Sequence, residues 1–90
     1  MRLLNSTSIK SKISELVCSF TDSFSFCDFG DTKIWFWIDG GLEYTIKLDN
    51  GILEFMISLK NSTPCFQMVY NISKGINRTL NMIKTLVLDD

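Results

Sequence analysis

The chain predicts an α+β fold, a four-stranded antiparallel β-meander flanked by an N-terminal and a C-terminal α-helix (α-β-β-β-β-α), with the helices mainly on one face. Three observations carry this. Apolar residues recur at helical spacing near each end. Between them lie short runs rich in aromatic and β-branched residues, which suit strands. Those runs are separated by Gly30-Asp31, Gly40-Gly41 and Asn50-Gly51, pairs that belong in tight turns.

The first helix is expected at about 7–20. Asn5-Ser6-Thr7-Ser8 offers several side chains able to cap its free N–H groups. Ile9, Ile13, Leu16, Val17 and Phe20 then share one face, with Lys10, Lys12 and Glu15 opposite. Thr21-Asp22-Ser23 ends it.

Four strands follow. In Phe24 to Phe29, apolar and small or polar residues partly alternate. Lys33 to Ile38 is the strongest strand signal, with every residue after the lysine aromatic or β-branched. Glu43 to Leu48 alternates cleanly, and Ile52 to Lys60 is the fourth strand. Asn50-Gly51 suits a type I′ turn, whose two central residues both need positive φ. It sets Leu48 opposite Leu53, Ile46 opposite Phe55 and Tyr44 opposite Ile57. On the other face it sets Lys47 opposite Glu54, a cross-strand pair contributing a few tenths to about 1 kcal/mol.

The second helix is expected to open at Thr63-Pro64, with Thr63 as N-cap and Pro64 in the first turn. Cys65, Val69, Ile72, Ile76, Leu80, Ile83 and Val87 form its apolar stripe. Gly75 inside it costs about 1 kcal/mol relative to Ala. Asp89-Asp90 is unfavourable at a helix C-terminus, so the end should fray. A rival reading makes 65–72 a fifth strand; the Ser-Thr-Pro sequence and the long stripe favour the helix.

Extending the register backward decides what each face carries. If Gly40-Gly41 is a two-residue turn, Trp37 lies opposite Tyr44 and Trp35 opposite Ile46. Phe26 then neighbours Trp35, and Phe24 neighbours Trp37. The second face holds Cys27, Phe29, Ile34, Phe36, Ile38 and Met56 beside Thr45, Lys47, Glu54 and Ser58. A three-residue loop at Asp39-Gly40-Gly41 would reverse this and bring Trp35 and Trp37 out. Two-residue loops are the commonest hairpin connections, so the first register is preferred. In both, the Lys33–Ile38 strand is apolar on both sides, and two helices cover one side. An uncovered apolar face marks an interface. Phe29, Ile34, Phe36, Ile38 and Met56 are therefore the candidate partner-binding residues, with Trp35 and Trp37 as the alternative set.

Composition bounds the rest. Ninety residues suit a single domain, 1–90. A chain this short buries about 60–65% of the surface its unfolded form exposes. With 46% apolar residues, it builds a core without metal or disulfide staples. A net charge of −1 lacks the basic stripe of a nucleic-acid binder. No apolar run reaches the length of a membrane span, and the start turns polar too early for a secretion signal.

Cys18, Cys27 and Cys65 are odd in number and widely spaced, which points to free thiols in a reducing cytoplasm. They are expected to be small buried hydrophobes. Asn-x-Ser/Thr strings at Asn5, Asn61, Asn71 and Asn77 carry no weight as glycan sites without export.

Catalytic chemistry is sparse. The chain has no His, which removes the commonest general base and the Ser–His and Cys–His nucleophile pairs. Three scattered thiols do not form a zinc set. Asp28, Asp31 and Asp39 flank the turns, where Asp beside Gly is turn chemistry rather than a cation site. No catalytic residues, metal or cofactor are expected.

The absence of Ala, with Lys ahead of Arg and plentiful Ile, Asn and Ser, reflects AT-rich coding. The expectation is a small non-enzymatic protein-binding module, a phage or mobile-element inhibitor that docks on a larger host protein such as a defence nuclease complex. Two alternatives stand beside it. One is a homo-oligomeric structural protein using the spare sheet face. The other is a single-stranded nucleic-acid binder that stacks bases on Trp35 and Trp37.

Overall fold

The computed structural model describes residues 6–59, 64–72 and 75–88. The element order is α1 (Ser6–Phe20), β1 (Ser25–Asp28), β2 (Thr32–Asp39), β3 (Leu42–Asp49), β4 (Ile52–Leu59), β5 (Pro64–Asn71) and α2 (Ile76–Leu88). The strands form one antiparallel sheet in sequence order, β1-β2-β3-β4-β5.

The three turns set the register. Asp39 pairs with Leu42, and Asp49 with Ile52, so Gly40-Gly41 and Asn50-Gly51 are two-residue turns. Asn50 has φ 49° and Gly51 φ 81°, the paired positive values that a type I′ hairpin requires. Trp37 lies opposite Tyr44, Trp35 opposite Ile46 and Phe26 opposite Trp35, as the two-residue reading predicts. Phe24 precedes β1 and has no ladder partner opposite Trp37; it packs at the margin of the core instead.

The sheet has five strands, not four. The expected second helix is divided into β5 and α2. Cys65 and Val69, assigned from their spacing to a helical stripe, belong to β5, while Ile76, Leu80, Ile83 and Val87 remain on α2. Two physical reasons decide this. Phe66, Met68 and Tyr70 alternate with Gln67, Val69 and Asn71, and this period-two pattern lets the first three sit opposite Ile57, Phe55 and Leu53. Gly75 has φ 134°, outside the helical range. It stands just before α2, where its carbonyl accepts the Thr79 N–H at 3.3 Å and the Thr79 hydroxyl at 3.1 Å. Gly75 thus marks the start of α2 and is not a cost within it. Pro64 begins an edge strand, a position that tolerates its missing N–H. The expected caps at Asn5 and Thr63, the strand end at Lys60 and the fraying at Asp89-Asp90 lie outside the described residues.

Both helices pack on one face. Ile9, Ile13 and Val17 of α1, with Ile76 and Ile83 of α2, join Trp35, Trp37, Tyr44, Ile46, Leu53 and Phe55 in one buried cluster. Trp37 is stacked between Phe20 and Tyr44, with ring centroids at 5.8 and 5.2 Å. Phe26 leans on Trp35 at 5.0 Å, and Lys10 lies over the Phe26 ring at 4.9 Å. The Trp35 indole N–H donates to Ser14 Oγ at 3.0 Å, which ties α1 to β2. Lys12 donates to Asn77 Oδ1 at 3.3 Å between the helices.

Candidate functional site

The pleat that sends Trp35 and Trp37 to the helices sends Ile34, Phe36 and Ile38 the opposite way. Register then assembles the second face in rows. One row runs Cys27, Ile34, Lys47, Glu54, Val69; the next runs Ser25, Phe36, Thr45, Met56, Gln67. Ile38, Glu43 and Ser58 lie beyond at one end, and Thr32, Asp49, Ile52 and Asn71 at the other. No described element packs over this face.

Burial differs sharply between the two sides of β2. Trp35 is 0% and Trp37 2% exposed, whereas Ile34 and Phe36 are half-buried and Ile38 is 52% exposed. Phe29, beside the first turn, is 68% exposed. Its backbone N–H is held by the Thr32 carbonyl at 2.8 Å, so the ring is presented by a fixed turn. Met56 is half-buried across the sheet from Phe36, with Thr45 between them. The five expected partner-binding residues therefore lie on the uncovered side. Phe29, Ile34, Phe36 and Ile38 are strung along β2 from the first turn to its far end, while Met56 stands apart on β4.

The alternative set is corrected by burial. Trp35 and Trp37 are interior to the helix–sheet core and offer no ring face to a base.

The expected burial also fails for Cys18 and Cys27, while the Cys65 side chain lies outside the described residues. Cys18 and Cys27 are exposed free thiols. Cys18 follows Val17 and so leaves the buried stripe of α1, while Cys27 alternates with Phe26 and falls on the open face.

The face is polar in its middle. Lys47 and Glu54 approach at 4.0 Å across β3 and β4. Gln67 donates from Nε2 to Glu54 at 3.5 Å. Thr32 donates its hydroxyl to Asp49 at 3.2 Å. Glu43, Asp49 and Glu54 set three carboxylates against the single Lys47 ammonium on β3 and β4. The surface is thus an apolar margin in an acidic frame. Ile52 and Val69 add apolar area, and both are exposed. Sequence reasoning missed Val69 as a face residue because it placed it on a helix; the period-two alternation of 66–71 was the signal.

The turn carboxylates act locally. Asp28 accepts the Gly30 N–H at 2.9 Å and lies 3.7 Å from the Lys33 ammonium. The bond from Gly30 is the main cause that holds its carboxyl below the ordinary 3.8; desolvation opposes it, and the Lys33 and Lys10 charges add to the lowering. Lys33 itself donates to the Gly30 carbonyl at 2.7 Å, so its buried stem ends in a satisfied ammonium. Among the described residues, no group of three or more Cys, Asp or Glu is placed to hold a metal ion. No described helix is long and apolar enough to cross a membrane.

Comparison with protein-family models, with curated proteins and with solved structures finds no match for this chain.

Proposed function

We propose that the chain is a non-enzymatic, cytoplasmic protein-binding module that docks through the open face of its sheet, acting as a phage or mobile-element inhibitor of a larger host protein such as a defence nuclease complex. The observation that carries the docking reading is the two-sidedness of β2. A strand whose Trp35 and Trp37 are sealed under helices keeps Ile34, Phe36 and Ile38 apolar on the uncovered side. Solubility alone favours polar residues there. The source and the host target rest on AT-rich composition and on the missing catalytic chemistry of a chain without His.

The frame defines the partner's chemistry. Glu43, Asp49 and Glu54 beside the apolar margin fit a partner with apolar anchors ringed by Lys and Arg. A nuclease, whose surface must attract phosphates, has that character. The same acidic frame disfavours direct nucleic-acid binding. It also disfavours face-to-face stacking of two copies, which would oppose like charges.

The test is capture from host lysate with the wild-type chain and with Phe36→Glu, followed by titration of the purified partner. The expected result is a partner held by the wild type, lost on Phe36→Glu, and weakened by salt. A partner bound equally by a folded Phe36→Glu chain would overturn the assignment of this face.

A further inference from the structure

We infer that the outer edge of β5 pairs antiparallel with β5 of a second copy of this chain, joining two five-stranded sheets into one. This uses the sheet edge and not the face invoked above, and stands independently of it.

The register shows which backbone groups point outward. Across a two-residue hairpin, Asp49 and Ile52 are a hydrogen-bonded pair, so Ile52, Glu54 and Met56 spend their N–H and C=O groups on β3. Leu53, Phe55 and Ile57 then bond to Tyr70, Met68 and Phe66 of β5. The Ile72 N–H on the Gly51 carbonyl at 3.0 Å continues the same alternation. Gln67 and Val69 therefore direct their N–H and C=O groups away from β4. Because β5 ends the sheet, those groups face outward from the edge.

Two features single out a second copy as the occupant. Strand edges that must stay single carry charges or are very short. β5 spans eight residues, Pro64–Asn71, without one charged side chain. The strand is also self-complementary. A two-fold axis at Met68 sets Gln67 opposite Val69 of the other copy, twice, and Phe66 opposite Tyr70, with no like charges opposed. Antiparallel pairing of outward groups at Gln67 and Val69 supplies both bonds of each pair. The opposite edge differs. β1 has only four residues and ends in Asp28, paired with Lys33. With that edge short and charged, β5–β5 pairing closes at two copies instead of growing into a filament.

The experiment is light scattering after size exclusion over a concentration series, with hydrogen exchange read at the Gln67 and Val69 amides. The expected result is a concentration-dependent dimer in which both amides become protected. Val69→Lys places a charge on an exposed edge position and is expected to weaken self-association by about tenfold or more. Gln67→Lys serves as the second variant. A chain that remains monomeric at high micromolar concentration overturns the inference. So does a dimer that both folded Lys variants leave intact while Phe36→Glu dissociates it, since the contact would then be the sheet face.

Discussion

The Trp35 indole N–H donates to Ser14 Oγ across 3.0 Å, from the sheet to the middle of α1. Trp35 is fully buried, so its one polar atom needs a partner inside the core. Ser14 lies between Ile13 and the outer side of α1, at the margin of the apolar stripe. The pair fixes both the rotation of α1 and the face of β2 that it covers. Ser14→Ala leaves the indole N–H unpaired and is expected to cost about 1–3 kcal/mol. Urea unfolding of the variant beside Ser19→Ala, an exposed control, checks this.

The two tryptophans report the same core. Both are expected to emit at blue-shifted wavelengths, to resist acrylamide, and to show no quenching by single-stranded oligonucleotides at low salt. Strong oligonucleotide quenching in the folded protein would contradict the burial of Trp35 and Trp37.

The faces of the sheet should respond oppositely to substitution. Ile46→Ala opens a cavity in the core and is expected to destabilise by about 2–5 kcal/mol. Ile38→Thr, at an exposed position on the other side of the sheet and still β-branched, is expected to stay within about 0.5 kcal/mol of wild type. Thermal melts of both variants measure the difference.

The β3–β4 turn depends on positive φ at consecutive positions. Gly51→Ala at φ 81° is expected to cost about 1 kcal/mol or more, because a Cβ disfavours that conformation. No heavy atom lies within 4 Å of the added Cβ, so the loss is conformational and not steric crowding by neighbours. Denaturant midpoints with an unchanged slope would show this.

Acid and alkali act at different ends of the sheet. The folded Asp28 carboxyl titrates below its ordinary 3.8, so its contribution is complete above 3.8 and is lost as pH falls through the lower folded value. Asp28→Asn is expected to flatten the acid limb of the melting curve. Burial raises the Tyr70 phenol above its ordinary 10.0, and its hydroxyl lies 2.9 Å from the Met68 sulfur. That contribution is complete below 10.0 and is lost as pH rises through the raised folded value. Tyr70→Phe is expected to remove this alkaline loss. Melting curves at stepped pH check both signs.

Much of this fold follows from local chemistry alone. Asn50-Gly51 and Gly40-Gly41 impose two-residue turns because few residues tolerate positive φ. Once those turns are set, the pleat alone decides that Trp35 and Trp37 share one side while Ile34, Phe36 and Ile38 share the other. The stripe Ile9, Ile13, Val17 likewise announces α1. The state of 64–71 depends instead on non-local contacts. Val69 and Ile72 satisfy a helical spacing as well as Phe66, Met68 and Tyr70 satisfy a strand. The choice depends on the Leu53–Phe55–Ile57 edge of β4, which offers that segment hydrogen bonds and an apolar face. The same non-local fact moves Val69 from a buried stripe to an exposed strand position. It also turns the last strand of the chain into an open, uncharged edge. Local spacing cannot report an edge that is created by cross-strand partners nine to seventeen positions away.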